Sequence, residues 1–354
     1  MAAEVHVILA GDIGGTKTHL ALYELRDGEL KLLSDRIYPT REFPSLEAVC
    51  ESFLSGCPES VALPDAACFG VPGPIIGGVS HAAHVPWRIE EKALAAALPI
   101  RSLRLINDLE ATARGVPYLH PEDTVVLQRG EPIDPITRGN IAVIAAGTGL
   151  GEAGLIALGD GSYIAIASEG GQCDFAPRGI NQGEQDDQIA LTRFIAAEFG
   201  HASYERVLSG PGLFNIYRFL RSRIDPDQDD PEPEWLAERM AREDPAAVIG
   251  EVGGARRDRR CERALEMFVA IYGAEAANLA LKFMATGGVY IAGGIAPKIL
   301  ASLESGGFIR AFNDKGHLAG VLRRIEVRVI LNQAAARTVT LIGAARAAIE
   351  LLRL

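Results

Sequence analysis

The sequence predicts an α/β protein of two lobes, one smaller and one larger, set around a cleft. Three observations predict it. A strand–glycine turn–strand unit opens the chain: the apolar run Val5 to Ala10 enters Gly11-Asp12-Ile13-Gly14-Gly15-Thr16-Lys17-Thr18, and His19 to Leu25 again reads as strand. A second unit of the same kind recurs midway, where the strand-like Ile141 to Ala146 enters Gly147-Thr148-Gly149-Leu150-Gly151-Glu152-Ala153-Gly154. Around both, short apolar runs alternate with helical patterns, and the 354 residues suffice for one large or two moderate domains.

The first turn is expected to be a glycine hairpin, glycine supplying positive φ. Bare backbone N–H groups there can approach phosphate oxygens, the Thr16 and Thr18 hydroxyls can donate, and Asp12 can hold Mg²⁺ directly or through water. A plain hairpin with an acid-rich turn is the alternative for this stretch alone. Ala66 to Val71 reads as a buried strand, Glu90 to Leu98 as an alanine-rich helix and Leu103 to Ile106 as another strand. Asn107-Asp108 then stands between a buried strand and a helix start, where α/β folds place catalytic groups. A helix N-cap would employ either residue equally well.

The second turn contains a literal G-x-G-x-x-G in Gly149, Gly151 and Gly154, so a dinucleotide-binding oxidoreductase must be weighed. That fingerprint has to open a helix. Leu155 to Ile166 instead reads as a hairpin around Gly159-Asp160-Gly161, so the context fails. Ser168 to Pro177 is a polar glycine-rich loop, and helices are expected over Gln188 to Phe199 and Pro211 to Ile224. The acidic, proline-rich Asp225 to Glu234 reads as a surface excursion, and Arg256 to Arg260 as a solvated face. Glu262 to Met284 reads as a long helix capped by glycine near Thr286-Gly287-Gly288. Val289 to Lys298 reads as strand, Gly293-Gly294 turn and helix, a turn against which a flat ring can lie, although such connections are also common without a ligand. A last helix is expected over Ala334 to Leu352, with Thr340, Gly343 and Ala344 as a close-packing face.

Composition narrows the function. The chain is 48% hydrophobic and 23% charged with a net charge of −11, and Arg256 to Arg260 is its longest basic tract. That excludes nucleic acid as the main partner and suits an acidic enzyme acting on small molecules. The five cysteines form no C-x-x-C pair, so neither a zinc site nor a disulfide framework is expected. No secretory leader pattern and no charge-free apolar run of about 18 residues is present, so a cytoplasmic protein without membrane attachment is expected.

Two turn-bearing halves facing one phosphate are the organisation of the actin, sugar-kinase and Hsp70 superfamily, with its ribonuclease H-like lobes. Within it, Gly11 to Thr16, Asn107-Asp108, Gly147 to Gly151, Ser168-Glu169-Gly170-Gly171, Glu205-Arg206-Val207-Leu208-Ser209-Gly210-Pro211-Gly212 and Gly293-Gly294 resemble the enterobacterial-type bacterial glucokinases, in order and over nearly the whole chain. The related repressor/kinase branch usually carries a cysteine-rich zinc cluster that has no counterpart here.

The resemblance implies ATP-dependent phosphorylation of glucose at its 6-hydroxyl, a step of glycolysis, by a cytoplasmic homodimer using Mg²⁺. Asp108 would be the general base. Asn107, Asp108, Glu169 and Glu205 would bind the sugar. Asp12 would hold the metal, and Gly14, Gly15, Thr16, Lys17, Thr18, Gly147, Thr148 and Gly149 would hold phosphate, with Gly293 and Gly294 near the adenosine. The smaller domain would comprise 1–107 with about 333–354, and the larger 108–332. The family usually has histidine where Gln172 stands and asparagine where His84 stands, so both residues bear on the sugar. Another hexose (mannose, fructose or an amino sugar) and a non-catalytic sugar sensor on the same fold are the alternatives.

Overall fold

The computed structural model describes residues 5–58, 61–80, 85–131, 139–179, 181–223, 231–331 and 338–352. Two sheets organise it. The first is built from β1 (His6–Ile13), β2 (Lys17–Arg26), β3 (Glu29–Pro39) and β4 (Ala66–Val71); a short ribbon, β5 (Ile75–Ile76) with β6 (Val79–Ser80), precedes its last strand, β7 (Ser102–Asn107). The second holds β8 (Thr124–Gln128), β9 (Ile141–Ala146), β10 (Leu150–Ala157), β11 (Tyr163–Ser168), β12 (Gly288–Ala292) and β13 (Val327–Ile330). The orders are β3-β2-β1-β4-β7 and β11-β10-β9-β12-β13-β8. In each, two antiparallel pairings on one side give way to two parallel ones on the other, and in the second sheet β8 adds an antiparallel edge beyond β13. The repeat predicted from the two turns is therefore a repeat of whole sheets, and β10 continues into β11 as a hairpin, which removes the dinucleotide reading.

Twelve helices cover the sheets among the described residues: α1 (Leu46–Ser55), α2 (Glu91–Ala97), α3 (Asp108–Gly115), α4 (Gln182–Phe199), α5 (Gly210–Ser222), α6 (Glu234–Arg242), α7 (Pro245–Gly254), α8 (Arg259–Phe283), α9 (Leu300–Glu304), α10 (Gly307–Asn313), α11 (Ala319–Leu322) and α12 (Val339–Leu351). β4 is buried throughout because a parallel strand is covered on both faces. Ala67, Phe69 and Val71 pack toward Phe53 and Leu94, whereas Ala66 and Cys68 pack toward Leu341 and Ala345 of α12. The expected small-residue face of α12 is real. A Cβ on Gly343 would lie 1.7 Å from the Ala111 carbonyl oxygen of α3, and the Thr340 and Thr112 hydroxyls meet at 2.9 Å. The α3–α12 pair serves both sheets: Ala111 and Leu341 join the core of the first, Ala113 and Val339 that of the second.

α8 is long and apolar enough to cross a membrane by length and composition, but 67% of its apolar window is buried. It is a core helix, carrying Phe268, Tyr272 and Ala276 into the cluster around Ile144 and Ile291. Its C-cap departs from expectation. Met284 takes the left-handed position at φ 46°, and no glycine does so there. α4 starts at Gln182, six residues before its apolar stripe, because Asn181 caps Glu184 N while the first turns face solvent and carry no hydrophobic period. α12 starts at Val339, capped by Thr338; the expected start at Ala334 and most of the acidic excursion (224–230) lie outside the described residues. All five cysteines are free thiols.

Candidate functional site

The first turn links Ile13 to its partner Thr18 and is closed by Gly14 N donating to Lys17 O at 2.9 Å. Gly14 does not use positive φ, contrary to the expectation. Its requirement is room, since a Cβ would stand 3.0 Å from the Lys17 oxygen. Thr40, which the sequence reading missed, clamps this turn: its N–H donates to Thr16 O (3.0 Å) and its hydroxyl to Gly14 O (2.7 Å). A hydroxyl has one proton, so the 2.9 Å contact between Thr18 and Thr40 hydroxyls is donated by Thr18. Thr18 is buried and spent inside the fold, whereas Thr16 and Lys17 are exposed and Gly15 half-buried. A threonine at the end of a neighbouring strand leaves no local signal in the sequence.

At the carboxyl edge of the same sheet, Asp12 pairs with Gly70 and Gly70 with Ile106, so the strand ends align. Asn107 is the N-cap of α3, its Oδ1 accepting from Leu109 N (2.8 Å) and Glu110 N (3.2 Å). Its amide nitrogen donates to Gly73 O at 3.3 Å, leaving one N–H over. Capping thus falls to Asn107 and frees Asp108 as the first helical residue, with Oδ1 accepting from Leu109 N at 2.9 Å. Burial, then the charges of Asp12 and Glu169, push the Asp108 carboxyl up to about 7, against the opposing Leu109 N–H. Burial pushes Asp12 up to about 6, with His19 pulling the other way. Burial and Glu205 raise Glu169. These influences place Asp12, Asp108, Glu169 and Glu205 in a chain of mutually repelling carboxyls.

The second turn lies across the cleft. Gly147 N donates to Gly149 O and Gly210 N to Gly147 O, both at 2.8 Å, and Thr148 is exposed. Glu205 Oε2 accepts from Leu150 N at 3.0 Å and would stand 2.6 Å from a Cβ on Gly149. The Glu205 N–H in turn donates to Gly171 O at 2.8 Å, joining loops far apart in sequence. Glu169 caps and Gln172 ends a single 3-10 turn, both exposed, with Gln172 N donating to Glu169 O at 3.0 Å. Pairing of Ala145 with Ala292 sets Gly293 beside Ala146 and the Gly147 turn. Gly293 does need glycine: φ is +84° and a Cβ would lie 2.4 Å from the Ala146 oxygen, while Gly294 is open. His84 lies outside the described residues; nearby Trp87 Nε1 donates to Phe43 O at 2.9 Å. A cavity of about 530 Å³ opens where the sheets meet, lined by Pro74, Ile75, Arg104, Asn107, Glu110 and Glu169 among others.

Two half-buried carboxyls at aligned strand ends, both raised mainly by loss of solvent, are a donor set that a hard dication would neutralise. Mg²⁺ takes one or two carboxylates and fills its shell with water and phosphate oxygens, so these two carboxyls would fit it. The exposed turn backbones and carboxyl-lined cleft fit a phosphate donor opposite a polyol.

Comparison with known proteins agrees. The glucokinase family model matches residues 9–351. The glucokinase of Nostoc punctiforme is 40% identical over 353 residues, covering 98% of this chain and 99% of that one, and the glucokinase of Pectobacterium atrosepticum is 35% identical, covering 93% and 94%. Among solved structures, a glucokinase from an Antarctic psychrotroph superposes with a TM-score of 0.79 at 28% identity, covering 98% of this chain and 99% of that one. The Balamuthia mandrillaris glucokinase in complex with glucose, 21% identical with a TM-score of 0.73 and covering 97% and 94%, shares the fold. That fold is the two-lobed, actin-like kinase fold. With a model matched almost from end to end and relatives this similar over their full length, the chain belongs to the glucokinase family and is a phosphotransferase.

Proposed function

We propose that this kinase transfers the terminal phosphoryl group of ATP to the 6-hydroxyl of D-glucose, with Asp108 as general base and Mg²⁺ held by Asp12 directly or through water. The observation that carries the reading is Asp108 itself. It is freed from capping by Asn107, half-buried at the carboxyl edge of the first sheet, and pushed to about 7, where a base can accept a proton and still be ionised near neutrality. Glu169, Glu205, Gln172 and the remaining Asn107 N–H are the sugar contacts, since carboxylates and amides accept from and donate to hydroxyls in planar pairs. The turns at Gly14 to Lys17 and at Gly147 to Gly149 hold phosphate by backbone N–H, and Gly293-Gly294 leaves backbone bare for the adenosine.

In the step itself the sugar oxygen attacks the terminal phosphorus, its proton passes to an Asp108 oxygen, and ADP departs. Mg²⁺, when bound, neutralises charge on the phosphates. Asp108 orients the hydroxyl and takes the proton; Glu169 and Glu205 hold the ring so that the 6-hydroxyl faces it. We take β1–β7 with α12 as the smaller domain and the second sheet with its helices as the larger, hinged at the α3–α12 pair that packs into both cores. Closure would exclude water, the competing nucleophile. Family membership and the free thiols support a cytoplasmic enzyme, and the family resemblance a homodimer.

Phosphoryl transfer from Mg·ATP to a panel of hexoses, wild type beside Asp108→Ala, tests this. Glucose turned over by wild type, with the variant losing nearly all rate but still binding sugar, is expected. Binding without turnover would favour a sensor, and preference for mannose or an amino sugar would move the substrate and point to exposed Gln172.

A further inference from the structure

Beneath the Glu169 turn lies a second acid pair that the reaction does not use. Glu152 points from β10 into the core at 1% exposure, and Glu275 of α8 is fully buried. Neither Glu152 oxygen receives a hydrogen bond. Glu275 is well supplied: Asn278 Nδ2 donates at 2.7 Å and Lys282 Nζ at 3.4 Å. An ionised carboxylate is acceptor-only, so a buried Glu152 without donors is untenable as an anion. A proton on Glu152 resolves this, because the acid then donates to a Glu275 oxygen.

The pair touches both sugar-binding loops. A Cβ on Gly170 would stand 2.0 Å from Glu152 Oε2, so the turn carrying Glu169 rests on this carboxyl. Asn278, which holds Glu275, also donates to the Tyr204 hydroxyl at 3.1 Å, and Tyr204 precedes Glu205. Lys315 donates to the Asn278 oxygen and closes the network.

We propose that Glu152 and Glu275 hold one proton between them and act as positioning residues that set Glu169 and Glu205 against the sugar. The proposal rests on the reading of those two glutamates as sugar contacts. Burial and then Glu275 push the Glu152 carboxyl up to about 8, with Lys282 opposing. The other groups facing the pair are the Tyr204 and Tyr272 hydroxyls and, through Asn278, Lys315, itself lowered to about 8 mainly by burial and Arg178.

The test uses the full chain as wild type, E152Q and E169A. Because Glu152 keeps its proton in the folded state, wild-type stability falls as pH rises from about 4.5 toward about 8; E152Q loses a slope worth one proton. At neutral pH the protonated-carboxyl carbonyl absorption in the infrared spectrum is expected to be weaker in E152Q than in wild type by one carboxyl, the share of Asp108 being common to both. The wild-type KM for glucose is expected to rise several-fold as pH passes about 8 while the KM for ATP does not follow. An amide donates at any pH, so E152Q is expected to hold the glucose KM flat; if E152Q does not fold, a wild-type glucose KM that stays flat through about pH 8 overturns the positioning role. A carbonyl absorption and stability slope undiminished in E152Q would overturn the shared proton. A one-carboxyl decrease in both with an unchanged glucose KM profile would overturn the positioning role. If E169A binds glucose as wild type does, the sugar-site reading fails separately, and the band and slope still decide the proton.

Discussion

The strands β1–β2–β3–β4–β7 and β9–β10–β11–β12–β13 run through the same pairings, yet their ends carry different chemistry. In the first half, β1 delivers Asp12 and β7 delivers Asn107 and Asp108. In the second, β9 ends in alanines before Gly147, and β12 ends at Ala292 before Gly293-Gly294. One half contributes carboxyls and the other mainly bare backbone, with Glu169 and Glu205 brought in by loops. The same division shows in how the turns are held. The first is clamped by a threonine from β3's end, whereas the second is held by its own backbone and by Glu205. A duplicated sheet therefore fixes where groups can stand, and the residues at its carboxyl edge decide what they do.

The sharpest way to break the comparison is at the first half's acid. Asp108→Asn is expected to lower kcat by on the order of 10²–10⁴ while sugar affinity survives, read by steady-state kinetics beside binding. The folded-state carboxyl is raised, so its stabilising contribution is lost as pH rises from 3.8 toward about 7. At neutral pH the asparagine variant should therefore be more stable, by about 1–3 kcal/mol in denaturant melts. For wild type, kcat/KM should fall close to tenfold per unit below about pH 7, because the base must be ionised.

In the second half, Gly293→Ala meets both a positive φ and the Ala146 oxygen, and should cost about 1–3 kcal/mol and raise the KM for ATP without moving that for glucose. Gly147→Ala, with nothing within 4 Å of its Cβ, is the control and should cost less than about 1 kcal/mol. The smallest effect is expected at the clamp. Thr40→Val removes hydrogen bonds to Gly14 and Thr18 and should lower stability by about 1 kcal/mol, with a modest rise in the KM for ATP.

How much of this was legible follows from the range of each interaction. Both turns, the hairpin that rejects the dinucleotide reading, and the strand before Asn107 are written in local pattern, and the structure has them. The capping ambiguity between Asn107 and Asp108 could be resolved only by side-chain direction. The left-handed cap at Met284 breaks a propensity rule, because the packing of α8 places its end whatever residue occupies it. Glu152 did carry a signal, a charge inside an apolar strand, but its partner lies 123 positions along the chain, by the difference of 275 and 152.

The sequence by itself determined the α/β class, the duplicated turn, the acidic small-molecule character and the residues with the chemistry for phosphoryl transfer, since periodicity, glycine and carboxylates act over a few neighbours. Only the tertiary structure decided that Asp108 feels the charge of Asp12 in a half-buried setting, that Thr18 turns inward to Thr40, that Glu205 braces the second turn, and that Glu152 meets Glu275 under the Glu169 turn. Those properties depend on desolvation and on contacts between distant segments, and neither exists until the two sheets have closed around α3 and α12.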